Sequence, residues 1–345
     1  MGKEVKVLWL SQEEVIEAGA MNMEMIMKQV EKVNIWLTEE QVVESNLFRL
    51  VWDKKLGSSR KIGLHAALIR NDEMQVAGVK GIPSNPDNPK LYGMPRSNGI
   101  LIMYHEKTGF PFAVMDDKIV SDMRTGAGSA LGAKLCANPD SEIMAIIGCG
   151  PIANAHINAT NLVMKNIKTV RLYDLNEAKA NDFAEKWAKL GYKFEICKSC
   201  ETAMSDADIV YTCTTNIGVG DEYIPKEWVK KGSFHSPASI WDYKPETVLT
   251  AFNKYAMDFE GRLEDKGFPF ADHVMAGTLK REDLKVAGRL LRGLEQCRTS
   301  PNDTVYYCTL GICATDLAVN WLVYNKAREL GLGTEVYLWK EPAYF

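Results

Sequence analysis

The segment at residues 141–159, SEIMAIIGCGPIANAHINA, constrains the fold more than any other part of the chain. An apolar run at 143–148 ends in Gly148-Cys149-Gly150, and Ala153 occupies the third position of a G-x-G-x-x-[GA] pattern. A helical pattern follows at 152–164. A buried strand, a tight glycine turn and a helix in this order form the phosphate-binding unit of a doubly wound parallel sheet. The glycines let backbone N–H groups approach a pyrophosphate at the helix N-terminus.

Asp174 ends the next predicted strand, TVRLYD at 169–174. A carboxylate at this position accepts hydrogen bonds from an adenosine ribose. The residues that follow, Leu-Asn-Glu, include no arginine to hold a 2′-phosphate, so NAD(H) is favoured over NADP(H). A strand, turn and helix that bind nothing remain the alternative, and the combined context favours the cofactor site.

Strands and helices alternate from residue 143 onward, with strands predicted at 143–148, 169–174, 193–197 and 209–214. Such alternation is typical of a parallel sheet with right-handed crossovers. Residues 42–116 instead contain strand-like runs separated by proline-rich loops, which predicts an antiparallel or mixed sheet. A chain of 345 residues is also too long for one ordinary core. We therefore predict an α/β protein with a Rossmann-type doubly wound parallel sheet and a second α+β domain.

Two helices have distinctive local patterns. Ser11-Gln-Glu-Glu14 forms a capping box. It predicts one helix whose apolar face consists of Ile16, Ala20, Met23, Met27 and Val30. The run at 124–136, RTGAGSALGAKLC, predicts a helix of small residues suited to close packing or to joining two domains.

The charge pattern excludes several classes of partner. There are 41 basic and 45 acidic residues, and no basic block stands out, so neither nucleic acid nor an anionic membrane is indicated. No long uncharged apolar window predicts a membrane span, and the first residues do not resemble a signal peptide. We expect a cytoplasmic protein.

The eight cysteines mostly lie in apolar surroundings, which is typical of buried reduced thiols. Cys197 and Cys200 have C-x-x-C spacing, but no second pair with this spacing exists to complete a zinc site. We predict structural cysteines and no metal.

Three cations occur in apolar or small-residue surroundings: Arg49 in LFRLVW, Lys80 in VAGVKG and Arg124 at the start of the small-residue helix. Each alone is explained by a surface position or a structural ion pair. Together, if they converge, they would bind a carboxylate, with arginine supplying a bidentate fork.

The order of several motifs resembles one family. Lys80, GMP at 93–95, TGFPFAVMD at 108–116, the Arg124 helix, IIGCGPIA, TCTT at 212–215 and TLGICATD at 309–316 together look like the ornithine cyclodeaminase/mu-crystallin family. The resemblance implies a homodimer whose substrate-binding and dimerisation domain, 1–122 plus 317–345, contains an inserted NAD-binding Rossmann domain, 123–316.

The resemblance also implies site residues. The substrate carboxylate is expected at Arg49, Lys80 and Arg124. The cofactor is expected to contact the following residues: Thr125, Gly148, Gly150, Pro151, Ile152, Ala153, Asp174, Thr214, Ala238, Ser239 and Leu310.

The family often ends the next segment in a catalytic aspartate. Here that segment reads GSFHSPASIWD, so we place the aspartate at Asp242 and expect His235, inside a strand, to be structural. An amine must lose its proton before hydride leaves its Cα. Lys80, if it lies near two guanidiniums, would release its proton more easily and could act as the base or polarise the carboxylate, and Asp242 could accept the amine proton or activate water.

The predicted function is an NAD(H)-dependent oxidoreductase that acts on an α-amino or α-imino acid, either an amino-acid dehydrogenase or an imine reductase. The alternatives are a cyclodeaminase, which is a lyase that releases ammonia and recycles NAD, and a mu-crystallin-like binding protein. Asp242 argues against the binding protein. The stretch Gly63-Leu-His-Ala-Ala67 lacks an acid for the distal amine of ornithine, which weakens the cyclodeaminase hypothesis. Arg96, beside the expected pocket, could hold a second anionic group or be a solvent-exposed loop residue.

Overall fold

The computed structural model describes residues 4–52, 60–215, 220–265 and 267–343. The chain divides into two compact units, Met1–Arg124 with Ile312–Phe345 and Thr125–Gly311. One unit holds a mixed sheet and the other a parallel sheet, which confirms the predicted fold class. Arg124 and Asp316, assigned above to the inserted domain, both lie in the first unit.

The described residues contain sixteen strands, numbered in chain order. They are β1 Val5–Leu10, β2 Val42–Glu44, β3 Phe48–Val51, β4 Lys61–Arg70, β5 Gln75–Ser84, β6 Ile100–His105, β7 Pro111–Asp116, β8 Ile143–Ile147, β9 Thr169–Tyr173, β10 Lys193–Ile196, β11 Ile209–Thr212, β12 Phe234–Pro237, β13 Lys254–Met257, β14 Leu284–Val286, β15 Val305–Cys308 and β16 Thr334–Trp339.

In the same ranges of the chain there are eleven α-helices, numbered in the same way. They are α1 Gln12–Val15, α2 Met23–Thr38, α3 Asn88–Leu91, α4 Lys118–Cys136, α5 Pro151–Val163, α6 Glu177–Trp187, α7 Cys200–Met204, α8 Pro245–Ala251, α9 Pro269–Met275, α10 Ala287–Leu291 and α11 Cys313–Leu330. Within the described ranges, no helix combines the length and the hydrophobicity that a bilayer crossing requires.

The capping box is present, but the helix it starts is short. The Ser11 hydroxyl accepts from the Glu14 amide at 3.3 Å, and the Glu14 carboxylate accepts from the Ser11 amide at 2.8 Å. The prediction of one continuous helix is wrong, because Gly19 has a φ of 101° and interrupts it. A second N-cap, Asn22, then starts α2.

The first unit is built on a mixed sheet in the order β16-β1-β7-β6-β5-β4-β2, with β3 also paired to β4. Helix α11 packs against β4 and β5, and α2 packs on α11. At the contact between α11 and β5, a Cβ on Gly78 would lie 2.6 Å from the Leu317 side chain. The covered face of the sheet therefore lies close to α11.

The antiparallel register assigns the polar residues to this covered face. Alternate residues of β4 share a face, so Lys61, Gly63 and His65 project together. Arg49 lies opposite Gly63, and Lys80 lies opposite His65. Residues that are directly opposite each other project to the same face. Arg49, Lys61, His65 and Lys80 therefore share one face of the sheet.

The other face of the same strands is apolar and exposed. Phe48 is 60% exposed, Leu50 52%, Leu64 39% and Ile100 47%. Phe48 lies opposite Leu64, and Gly81 on β5 lies opposite both Leu64 and Ile100. These four side chains, which we call the outer apolar face, form a continuous patch.

The second unit has a wholly parallel sheet in the order β10-β9-β8-β11-β12-β15-β13-β14. Its central strands β8, β11, β12 and β15 are buried on both sides, as expected when helices cover both faces. The strand order reverses direction between β8 and β11. Ligands of open α/β sheets bind at the carboxyl ends of the strands beside such a reversal.

Small residues in α4 permit close packing, as the sequence predicts. A Cβ on Gly126 would lie 2.3 Å from the Ala155 carbonyl carbon in α5. A Cβ on Gly132 would lie 2.5 Å from the Tyr307 ring. Both neighbours belong to the same unit as these glycines, so the absence of a side chain determines how α4 packs on the parallel sheet.

We expect Gly126→Ala to destabilise the protein by about 1–3 kcal/mol, because the added methyl group meets the backbone of α5. The intrinsic helix preference of alanine offsets only about 0.5–1 kcal/mol of this. Gly128→Ala is the matched control, since its methyl group would meet only the Thr309 methyl group at 3.1 Å. Denaturant titration measures both variants. Equal stabilities of the two variants would contradict the packing argument.

Candidate active site

Lys80 is the centre of a buried charge cluster in the first unit. Its side chain is 1% exposed, and its Nζ lies 2.8 Å from Asp117 Oδ2 and contacts Asp316 Oδ1. It also donates to Ser121 Oγ at 2.9 Å. Two carboxylates, those of Asp117 and Asp316, therefore flank the Lys80 side chain.

Asp316 joins Lys80 to Arg124. The Arg124 Nε donates to the same Asp316 Oδ1 at 3.0 Å. Burial opposes ionisation of Asp316, but the guanidinium of Arg124 and the ammonium of Lys80 outweigh it and hold the pKa of Asp316 below its usual value. Asp316 Oδ2 is buried and has no hydrogen-bond partner among the described residues. Two of the three predicted carboxylate-binding cations are therefore brought together by one aspartate.

Asp117 behaves differently from Asp316. Burial raises the pKa of Asp117 to about 6, although Lys80 opposes the shift. Its Oδ1 accepts from Asn320 Nδ2 at 2.6 Å. A carboxyl group with this pKa exchanges protons near neutral pH, directly beside the Lys80 ammonium.

Neither Asp117 nor Asp316 is predicted from the sequence as a site residue. The signal was present, since Asp117 follows the apolar strand FPFAVMD and Asp316 lies in the apolar run TLGICATD. Buried acids in such surroundings require charged partners. Only the tertiary structure shows that their partners are Lys80 and Arg124.

Arg49 lies on the same sheet face as Lys80, but β4 separates their strands. Its charge acts on Lys61 instead. Burial lowers the pKa of Lys61 to about 8, and the charges of Arg49 and Arg96 add to the shift. Arg96, between α3 and β6, is half-buried and not a freely solvated loop residue.

The glycine turn of the second unit has the geometry of a phosphate site. Gly148 has a φ of 87°, and a Cβ there would lie 2.8 Å from the Cys213 carbonyl oxygen. Gly150 is the N-cap of α5 and has open space where its Cβ would be. Pro151 is exposed, Ile152 is half-buried and Ala153 is fully buried against the core. The first-turn amides of α5 are therefore uncapped by a side chain and suited to an anion.

Asp174 lies beside this turn, at the carboxyl end of β9. Its Oδ2 accepts from the Cys149 amide at 2.8 Å, and its Oδ1 accepts from the Asn176 amide at 2.9 Å. The carboxylate is half-buried, so it is positioned by the backbone and still faces solvent. These contacts fit a carboxylate that receives ribose hydroxyls.

Asp242 is fully buried near the carboxyl ends of β11 and β12. Thr214 Oγ1 donates to its Oδ1 at 2.8 Å, and Ser239 Oγ donates to it at 3.3 Å. The amides of Ala238 and Ser239 both donate to the Thr212 carbonyl oxygen. The structure thus brings together Asp242 and three of the predicted cofactor residues.

The remaining predicted cofactor residues are less informative. Thr125 is half-buried on α4. The amide of Leu310 donates to both carboxylate oxygens of Asp258 at 3.1 Å, and the amide of Gly311 donates to the same group. Asp258, which is not among the residues predicted from the sequence, therefore fixes the loop after β15.

His235 is fully buried in β12. Burial lowers its pKa to about 3. Its ring contacts Ser233 Oγ at 2.7 Å and the Tyr243 hydroxyl at 2.6 Å, so both nitrogens are occupied within the core.

A model of the ornithine cyclodeaminase/mu-crystallin family matches residues 54–331. The chain belongs to this family. N-((2S)-2-amino-2-carboxyethyl)-L-glutamate dehydrogenase of Staphylococcus aureus is 27% identical over 270 residues, which cover 77% of this chain and 79% of that protein.

Two solved structures of the family are also similar. An archaeal alanine dehydrogenase, a dimer with bound NAD, is 25% identical with a TM-score of 0.83 and covers 97% of this chain and 100% of its own. The Δ1-pyrroline-2-carboxylate reductase of Thermococcus litoralis, in complex with NADH and L-proline, is 25% identical with a TM-score of 0.84. The match covers 96% of this chain and 100% of that one.

We expect His235→Gln to change the pH dependence of stability but not that of activity. His235 stays neutral in the folded protein because its pKa is about 3, whereas in the unfolded chain its pKa is near 6.5. As the pH falls from about 6.5 towards 3, protonation of the unfolded chain therefore lowers the free energy of unfolding. Above pH 6.5 this destabilising effect is absent. The parent should lose up to about 1.4 kcal/mol per pH unit from this residue, and the variant should lack that slope.

Urea unfolding between pH 5 and pH 8 provides the measurement, and exposed His105→Gln is the control. A variant with the parental slope, or a shifted pH profile of turnover, would contradict the structural role.

Proposed function

We propose that this protein is an NAD(H)-dependent oxidoreductase that interconverts an α-amino acid and the corresponding α-imino acid. The observation that carries the proposal is the buried cluster in which Asp316 links Lys80 to Arg124. It combines cations for a substrate carboxylate with a group that exchanges protons near neutrality, Asp117. The family relatives described above are dehydrogenases and a reductase of this kind.

The glycine turn fits NAD(H). The amides of Ile152 and Ala153 would hold the pyrophosphate, and Asp174 would receive the ribose hydroxyls. Thr125, Thr214, Ala238, Ser239 and Leu310 would contact the remaining parts of the cofactor. Bound NAD supplies a hydride acceptor for the substrate Cα, and NADH supplies a hydride donor.

The protein residues bind the substrate and move its protons. Arg124 and Lys80, with Arg49 on the same sheet face, would orient the α-carboxylate. Asp117 would take up a proton through Lys80 when the amine is released from its ammonium form, because its pKa lies near 6. Asp242, held by the Thr214 hydroxyl, would orient or activate the water that adds to the imine.

The residues of β4 on the covered face of the sheet argue against the cyclodeaminase alternative. Lys61, Gly63 and His65 project from this face, and Arg49 lies opposite Gly63. The distal ammonium of ornithine would meet the positive charges of Arg49 and Lys61 at this end of the face, which disfavours its binding there. A mu-crystallin-like binding protein is disfavoured by the buried Asp242, whose hydrogen bonds hold it in one orientation.

We further propose a homodimer formed through the outer apolar face. Monomeric proteins rarely expose so large an apolar patch, whereas homodimers bury such a patch against its symmetric copy. Phe48, Leu50, Leu64 and Ile100 are each at least 39% exposed in the single chain. The similar archaeal alanine dehydrogenase is itself a dimer.

A cytoplasmic location is part of the same proposal. All eight cysteines are free thiols, and six of them are buried. Proteins with many unpaired cysteines are typical of a reducing compartment.

A panel of L-amino acids with NAD, and of α-keto acids with NADH and ammonia, tests the function. We expect net formation of reduced nicotinamide with ammonia release in the first direction. Ammonia without net reduction would identify a cyclodeaminase, and bound ligand without either product would identify a binding protein. Asp242→Asn should lower kcat by about 10²–10⁴-fold. The exposed Asp206→Asn should not, since Asp206 lies outside this cluster.

We expect Leu64→Glu to convert the dimer to a monomer, because burying an unpaired carboxylate in the outer apolar face is strongly unfavourable. Analytical ultracentrifugation measures the change. Leu294→Glu, on a leucine of the second unit that is 61% exposed, is the control and should remain a dimer. A parent protein that is monomeric at micromolar concentration would overturn the assignment of this face.

A further inference from the structure

Lys61 and Arg96 are neighbours at one end of the covered sheet face. Lys61 on β4 lies opposite Ser84 on β5. Ser84 also forms a bridge to Ser97, and the Asn85 amide donates to the Arg96 carbonyl oxygen at 2.8 Å. This pairing places the Arg96 loop beside the strand position opposite Lys61. Arg49 contributes a third positive charge that acts on Lys61.

The charges of Lys61 and Arg96 are not balanced by acids. Neither residue forms an ion pair with any acid in the described part of the chain. Arg96 Nε is buried and has no hydrogen-bond partner among the described residues. Burial alone lowers the pKa of Arg96, and it lowers that of Lys61 with Arg49 and Arg96 adding to the effect. Half-buried cations without a counter-ion are costly unless a ligand supplies the anion.

The neighbouring cations, unlike Lys61 and Arg96, have acidic partners. Arg60 Nη2 pairs with Asp87 Oδ2 at 2.7 Å, next to Lys61 in sequence. Lys80 and Arg124 share Asp316. Acids are therefore present at nearby cations and absent, within the described residues, at Lys61 and Arg96.

We propose that Lys61 and Arg96 form a second anion subsite that binds an additional carboxylate of the substrate. The inference rests on the proposed function and specifies its substrate class as a dicarboxylic amino or imino acid. Lys61 and His65, the residue opposite Lys80, are four residues apart on β4, or about 13 Å at the usual strand rise. Long lysine and arginine side chains reach across much of that span, so a short dicarboxylate can contact both groups.

Neutralising variants test the subsite. We expect Arg96→Gln and Lys61→Met each to lower kcat/KM for L-aspartate and L-glutamate by about 10–100-fold, the loss of one charged hydrogen bond. The values for L-alanine and L-norvaline should change less than about three-fold. Arg60→Gln removes the same charge at a residue already paired to Asp87, so it should keep the parental preference. An N-carboxymethyl amino acid carries its second carboxylate on the nitrogen, whereas aspartate and glutamate carry it on the side chain. Comparing kcat/KM for the two kinds of substrate shows which position the subsite binds.

Binding gives a readout that does not depend on turnover. Calorimetry of the same amino acids with the NADH-loaded protein should show tighter binding of dicarboxylates to the parent and loss of that preference in Arg96→Gln. If no amino acid is turned over but the preference is present and lost in the variant, the proposed reaction fails and the subsite stands. Equal losses for mono- and dicarboxylic ligands, or no preference in the parent, would overturn the subsite.

Discussion

The buried Lys80 ammonium is the interaction on which the first unit depends. An ion of this kind is stable in the interior only when partners of opposite charge lie at hydrogen-bonding distance. Asp117 follows β7, Asp316 begins α11, and Arg124 lies on α4, so the cluster ties three elements to β5. Removing one partner would leave an uncompensated buried charge, at a cost of about 3–5 kcal/mol. The chemistry of the site and the folding of the unit therefore share the same side chains.

The second unit positions its polar groups by a different principle. Parallel strands end at a common edge, so residues that follow separate strands meet there without long side chains. Asp174 after β9 accepts from the Cys149 amide after β8, and Asp242 accepts from Thr214 after β11. Each carboxylate is fixed by the backbone or hydroxyl of the neighbouring strand. Neither position requires a buried ion pair.

This difference explains how much the sequence predicts. The parallel sheet, the glycine turn and Asp174 follow from patterns within about thirty residues, because a strand, turn and helix unit is local. The Lys80 cluster joins residues 236 positions apart, so no local pattern shows which acids meet which cations. The break at Gly19 was also missed. The helical spacing of apolar residues continues through it, and a second N-cap at Asn22 compensates for the interruption.

The covered sheet face therefore contains two groups of positive charge with opposite requirements. Lys80 and Arg124 are matched by aspartates, and one of these, Asp117, gains or loses a proton near neutral pH. Lys61 and Arg96 have no such match among the described residues, so their field is available to a ligand. A matched cluster keeps its protons mobile without attracting every anion, whereas an unmatched one selects by charge. Proton transfer thus depends on the Lys80 cluster, whereas the choice of substrate depends on Lys61 and Arg96. A substitution in one group can therefore change its property while the property of the other group is retained.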